Sequence, residues 1–158
     1  MTKTLFMLIG PKGSGKTHIG DIVGQHTRIH FLRVEPIWLT VQPGEDGWQK
    51  VEQAIDEAFT TRDQVMVESL GAGEGFKGMH ASLSTKYEMK MIHVVADLKT
   101  CLARVKSRDN KEHIAVSDDQ VEAYNRVAAA VKYDWALEII NDPPAGDQVI
   151  LNAIGTIN

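Results

Sequence analysis

Short unbroken apolar runs alternate along this chain with stretches whose apolar residues recur at helical spacing. Residues 4–10 form one such run, ended by a glycine-rich turn, and read as a strand buried on both faces. Ile19, Ile22, Val23 and His26 then predict a helix from about residue 15 to residue 25. Residues 29–34 predict a second strand that Glu35 ends and Pro36 stops. Residues 37–41 fit either a short helix opened by Pro36 or an extension of that strand.

Trp48, Val51, Ile55 and Phe59 make one helical face, and residues 64–68 predict a third strand. Gly71, Gly73, Gly75 and Gly78 predict a loop, with a weak helix over residues 80–89. Residues 91–96 predict a fourth buried strand, followed by a helix whose inner face is Leu98, Cys101, Leu102 and Val105. Ser117 and Gln120 match a capping box, opening a helix expected to bury Val121, Tyr124, Ala128 and Val131. Residues 136–140 predict a fifth strand, Pro143 to Gly146 a turn, and Ile150, Ala153, Ile154 and Ile157 a final helix. Strands and helices alternate throughout, so the fold class is α/β: right-handed crossovers and a parallel sheet covered on both faces.

Composition narrows the picture only a little. At 158 residues and 43% hydrophobic content the chain has the size and apolar fraction of one domain with one core, here residues 1–158. The net charge of −4 gives no general attraction to nucleic acid or anionic membranes. No apolar run approaches the ~20 residues needed to span a bilayer. The single cysteine, Cys101, excludes an intramolecular disulfide framework and fits a reducing, cytoplasmic setting.

The chemistry enters with Gly10-Pro11-Lys12-Gly13-Ser14-Gly15-Lys16-Thr17, which fits G-x-x-x-x-G-K-[ST] at every required position. Glycines let backbone amides curl around a polyphosphate as an anion nest, and the helix that follows adds its positive dipole end. Lys16 can reach the β- and γ-phosphate oxygens, and the Thr17 hydroxyl can ligate Mg²⁺. A chance match in a chain this long has odds on the order of one in a hundred. This match also follows an apolar strand and opens an amphipathic helix, so it predicts binding of a nucleoside triphosphate, ATP with Mg²⁺. A GTPase is disfavoured, because the Asn110-Lys111 pair leads to His113 where guanine recognition needs an aspartate.

With the phosphate loop, the length, the stretch Ile92-His-Val-Val-Ala-Asp97, and Arg104 to Asp109, the chain resembles the small P-loop kinases. These include adenylate, shikimate and gluconate kinases, and the near-terminal Ile139-Ile-Asn141-Asp142 looks most like ATP-binding proteins related to polynucleotide kinase. The resemblance implies strand order 2-3-1-4-5 and transfer of the ATP γ-phosphate to a hydroxyl or phosphate acceptor. It also implies a lid at about 108–117 and an acceptor-binding region at about 35–62. Its lid arginines would clamp the transferring group, with Arg108 favoured over Arg104, and Asn141 would lie near the adenine.

Two acids stand at predicted strand ends beside the phosphate loop. Glu35 is the candidate for addressing the acceptor, and Glu68, ending an apolar run, for holding Mg²⁺ through water; which serves as base is left open. Asp97 reads as a helix cap, His93 as a core histidine, and Trp38, Trp48 and Trp135 as core or edge packing, with stacking on a substrate the alternative. The alternative to a kinase is a nucleotide-regulated binding module with slow or no hydrolysis. The acceptor stays open among small molecules, nucleosides or nucleotides, and a short 5′-hydroxyl strand end. The acidic balance weighs against an extended nucleic acid, and the oligomeric state is not legible.

Overall fold

The computed structural model describes residues 2–107 and 117–158. Five strands, β1 (Thr4–Ile9), β2 (His30–Phe31), β3 (Gln64–Ser69), β4 (Glu88–Val95) and β5 (Trp135–Ile140), form one parallel sheet of order β2-β3-β1-β4-β5. The helices are α1 (Lys16–His26), α2 (Glu35–Leu39), α3 (Gly47–Ala58), α4 (Glu74–Ser84), α5 (Leu98–Ser107), α6 (Asp118–Ala130) and α7 (Asp147–Gly155). The α/β class and the strand order are as expected.

The unbroken apolar run of β1 has its cause in the sheet centre, where all six residues are buried. Leu5, Met7 and Ile9 point to one layer with Val51, Ile55, Phe76 and Leu83 of α3 and α4. Phe6 and Leu8 point to the other, with Ile19 and Val23 of α1 and Ile150 and Ile154 of α7. The period-2 alternation of a strand thus divides one hydrophobic run between two cores. Among the described residues no helix is long and apolar enough to cross a membrane.

Parallel register brings the functional strand ends together: Ile9 lies opposite Ser69 and His93, and Leu8 opposite Glu68. Several local expectations are corrected. The second strand keeps only two residues, and Glu35 opens α2 rather than ending β2. Pro36 explains this, since a fixed φ and a missing N–H suit the first helical turn. Gly75 and Gly78 belong to α4, which ends at Ser84, and Glu88 and Met89 belong to β4. The capping box at Ser117 forms, but α6 buries Val121, Asn125 and Ala128, while Tyr124 is exposed and Val131 caps the end. Asp97 caps α5 through the Lys99 amide at 2.9 Å. The expected lid falls almost wholly on residues 108–116, outside the described residues, and Arg108 with it.

Candidate active site

The phosphate loop leaves β1 and enters α1 through two left-handed glycines, Gly13 at φ 88° and Gly15 at φ 100°. A side chain at either would be strained, and it would also collide: a Cβ on Gly13 with the Cys101 carbonyl, one on Gly15 with the Asn141 amide. The loop is therefore gripped from behind by α5 and by the end of β5. Asn141 donates to the Ser14 carbonyl at 2.8 Å and accepts from the Ala145 amide at 2.9 Å. Arg104 donates to the Asn141 carbonyl at 2.8 Å and to the Gly13 and Ser14 carbonyls at 3.3 and 3.4 Å. Asn125 of α6 clasps Lys12, accepting from its amide at 2.7 Å and donating to its carbonyl at 2.9 Å.

Within the loop, Lys16 Nζ donates to the Gly10 and Pro11 carbonyls at 2.6 and 2.9 Å. Burial pushes its pKa down to about 8, with Lys12 adding to the effect and Glu68, Cys101 and Glu35 opposing it. The Thr17 hydroxyl donates to Glu68 Oε2 at 2.8 Å and lies 3.0 Å from Oε1. Glu68 is only 8% exposed, and burial raises its pKa against the pull of Lys16 and the Thr17 hydrogen bond. The register that sets Glu68 beside Leu8 places this carboxylate one residue short of the β3 end.

These residues fit a triphosphate with Mg²⁺. The fit rests on the donor set: the Lys16 ammonium, the Thr17 hydroxyl and the Glu68 carboxylate line one cleft with the left-handed Gly13 and Gly15 of the loop. No group of three or more His, Cys, Asp or Glu among the described residues could hold a metal alone. Thr17 and Glu68 would hold Mg²⁺ jointly with phosphate oxygens and water, and the ion would neutralise phosphate charge.

A cleft of about 640 Å³ runs from the loop past Lys16, Thr17 and Glu68 to Arg33, Glu35, Trp38 and Trp48. Glu35 thus reaches the same cleft from the first turn of α2. Arg104 lines the cleft as well, although its hydrogen bonds run to loop carbonyls. Trp38 and Trp48 pack against the core as expected and also line the cleft, whereas Arg33 carried no signal in the sequence. Nor did Asn125, which no local pattern marks, since its partner lies 113 residues away.

No family model matches the chain. Over 136 residues it is 24% identical to a shikimate kinase of Vibrio parahaemolyticus, covering 80% of this chain and 77% of that one. A shikimate kinase from Acinetobacter baumannii, solved in complex with shikimate, superposes with a TM-score of 0.67 at 15% identity, covering 99% of this chain and 93% of that one. A putative kinase from Chloroflexus aurantiacus gives a TM-score of 0.73 at 15% identity, covering 99% and 98%. The sheet order and the phosphate loop are those of a P-loop nucleotide-binding fold, and the similarity to these kinases supports a small P-loop kinase family.

Proposed function

We propose that this protein transfers the γ-phosphate of MgATP to a hydroxyl of a small acceptor seated in the cleft between Glu35 and Lys16. The observation that carries the reading is the convergence of Lys16, the Thr17–Glu68 pair and Glu35 on one cleft. The backbone amides of Gly13, Gly15 and Lys16 and the Lys16 ammonium would bind the β- and γ-phosphates, the Ser14 amide being bonded to the Pro11 carbonyl. Glu35 would orient the acceptor hydroxyl and accept its proton as the oxygen attacks phosphorus in line with the leaving ADP oxygen. Residues 35–62 would form the acceptor region. Arg104 serves as a positioning residue for the loop, and Arg108 is the group proposed to face the transferring phosphoryl. Asn141 would border the adenine while holding Ser14.

The test is transfer of the γ-phosphate of labelled ATP to pooled hydroxyl acceptors, beside a Lys16→Ala control. A product that appears with one pool and vanishes in the control supports the reading. Tight ATP binding with no transfer to any pool would favour a nucleotide-regulated binding module instead.

A further inference from the structure

The acceptor end of the cleft is walled by Val34, Trp38, Trp48, Val51, Val67 and Met79. This wall is largely apolar and built around two half-buried indoles. The polar groups of the same cleft on this side are Arg33, Glu35, Asp21, Glu68 and Ser69. Trp38 and Trp48 meet edge to face at 4.9 Å between ring centroids, and Trp48 meets Phe76 in the same manner at 6.2 Å. Each indole also rests on a backbone made bare by glycine. A Cβ on Gly47 would run into the Trp38 ring, and one on Gly75 into the Trp48 ring. Both rings are therefore fixed by close packing before any ligand arrives, so little side-chain entropy is left to lose on binding.

Such a wall discriminates by chemistry. A polyhydroxylated acceptor must strip water from each hydroxyl it brings in, and each hydroxyl then needs a new partner. Valine, methionine and tryptophan side chains supply few. A flat apolar ring loses nothing on desolvation and gains stacking and area burial against the indoles. We infer that the acceptor carries a planar aromatic or heteroaromatic ring, held against Trp38 and Trp48 with its hydroxyl presented toward Glu35. The inference rests on the proposed phosphotransfer for the word acceptor, and on the cleft alone for the ring.

The experiment is binding read by tryptophan fluorescence, with a non-hydrolysable ATP analogue saturating the phosphate site. The chain has three tryptophans, two of them in the cleft, and Trp135 stacks on His93 instead. The ring probes are benzyl alcohol, 4-nitrobenzyl alcohol and 3-pyridinemethanol, each with one hydroxyl; the non-aromatic probes are shikimate, gluconate and glycerol. At least one ring probe should quench saturably, and the second set should bind at least roughly tenfold more weakly. Trp135→Phe should leave the affinity unchanged, whereas Trp38→Leu and Trp48→Leu should each weaken it roughly tenfold without changing ATP-analogue affinity. Where Trp48→Leu unfolds, Trp48→Phe takes its place and should retain an intermediate affinity. Tighter binding of the non-aromatic probes, no binding by any ring probe, or ring affinity indifferent to both tryptophans would overturn the inference. Saturable ring binding without phosphate transfer to that ring compound would instead count against the phosphotransfer reading, leaving the ring site in place.

Discussion

The hydroxyl of Thr17 donates to the carboxylate of Glu68 at 2.8 Å, joining the first turn of α1 to β3 within the cleft. Thr17, through its hydroxyl, and Glu68, through water, would hold Mg²⁺, which would neutralise phosphate charge. Replacing Thr17 by Val keeps the shape and removes the hydroxyl. The Mg²⁺ concentration for half-maximal ATP turnover should then rise by roughly 10–100-fold, while Thr17→Ser should stay near the parent value. A magnesium titration of ATPase or kinase rate reads this directly. Equal Mg²⁺ dependence in parent and Thr17→Val would remove Thr17 from the metal site.

How far the sequence alone reaches is seen in where it stops. β1, the loop and α1 are legible because hydrophobic period, glycine spacing and helix start all depend on neighbours in sequence. Gly75 is different. It sits inside α4, where glycine costs about 1 kcal/mol against alanine, because the Trp48 indole lies against its backbone. That reason is tertiary, so the local signal reads as loop. α6 fails in phase: Tyr124 is the larger apolar residue, yet Asn125 turns inward because its amide satisfies both backbone groups of Lys12. Glu35 was misplaced for a third reason. A proline can end a strand or begin a helix, and only the sheet register decides that β2 stops at Phe31.

Lys16 carries a pH dependence whose sign follows from its environment. The unfolded chain holds this proton up to about 10.5, the folded chain only up to about 8, since burial outweighs the attraction of Glu68. Between those values the unfolded state binds more protons, so stability climbs with pH; below about 8 the penalty is present in full. Lys16→Met should therefore stabilise the fold at pH 7 by about 1–3 kcal/mol, with the gain shrinking to nothing by pH 10.5. Urea unfolding of both proteins across that range checks it. A destabilised Lys16→Met at pH 7 would mean that its bonds to the Gly10 and Pro11 carbonyls outweigh desolvation.

The same lysine links ATP binding to proton uptake. A polyphosphate beside Nζ favours the ammonium form, so binding should draw a proton from solvent when the pH lies near or above about 8. Affinity should decline as pH rises through that value. Calorimetry in buffers of different ionisation enthalpy should show close to one proton taken up at pH 9 and far fewer at pH 6.5. Lys16→Met should show neither the uptake nor the decline.

Asn125 makes a claim about the loop that charge can isolate. Its side chain accepts from the Lys12 amide and donates to the Lys12 carbonyl, and it is only 2% exposed. Asn125→Ala should cost about 1–3 kcal/mol of stability by leaving those two backbone groups without a protein partner. Asn125→Asp keeps an acceptor, loses the donor and sets a negative charge next to the loop. ATP affinity should fall further in the Asp variant than in the Ala variant, and added salt should narrow the gap. If the two bind ATP equally at low salt, Asn125 supports the fold and not the loop's charge.

Gly15 and Asn141 give the sharpest test of how the loop is held, because two separable costs meet there. An alanine at 15 would occupy φ 100°, and its Cβ would overlap the Asn141 amide. The first cost belongs to the backbone and amounts to about 1–2 kcal/mol; the second belongs to the pair and depends on Asn141 being present. Asn141→Ala alone gives up the bonds to the Ser14 carbonyl and the Ala145 amide and should cost about 1–3 kcal/mol. Combining the two changes removes the overlap while keeping the backbone strain. The double variant should therefore be less destabilised than the sum of the singles, with a coupling of about 0.5–3 kcal/mol by urea unfolding. Additive costs would mean that the Asn141 side chain swings clear of Gly15 without penalty. The hydrogen bond to Ser14 would then be dispensable, and the phosphate loop would be set by its own glycines and by Arg104.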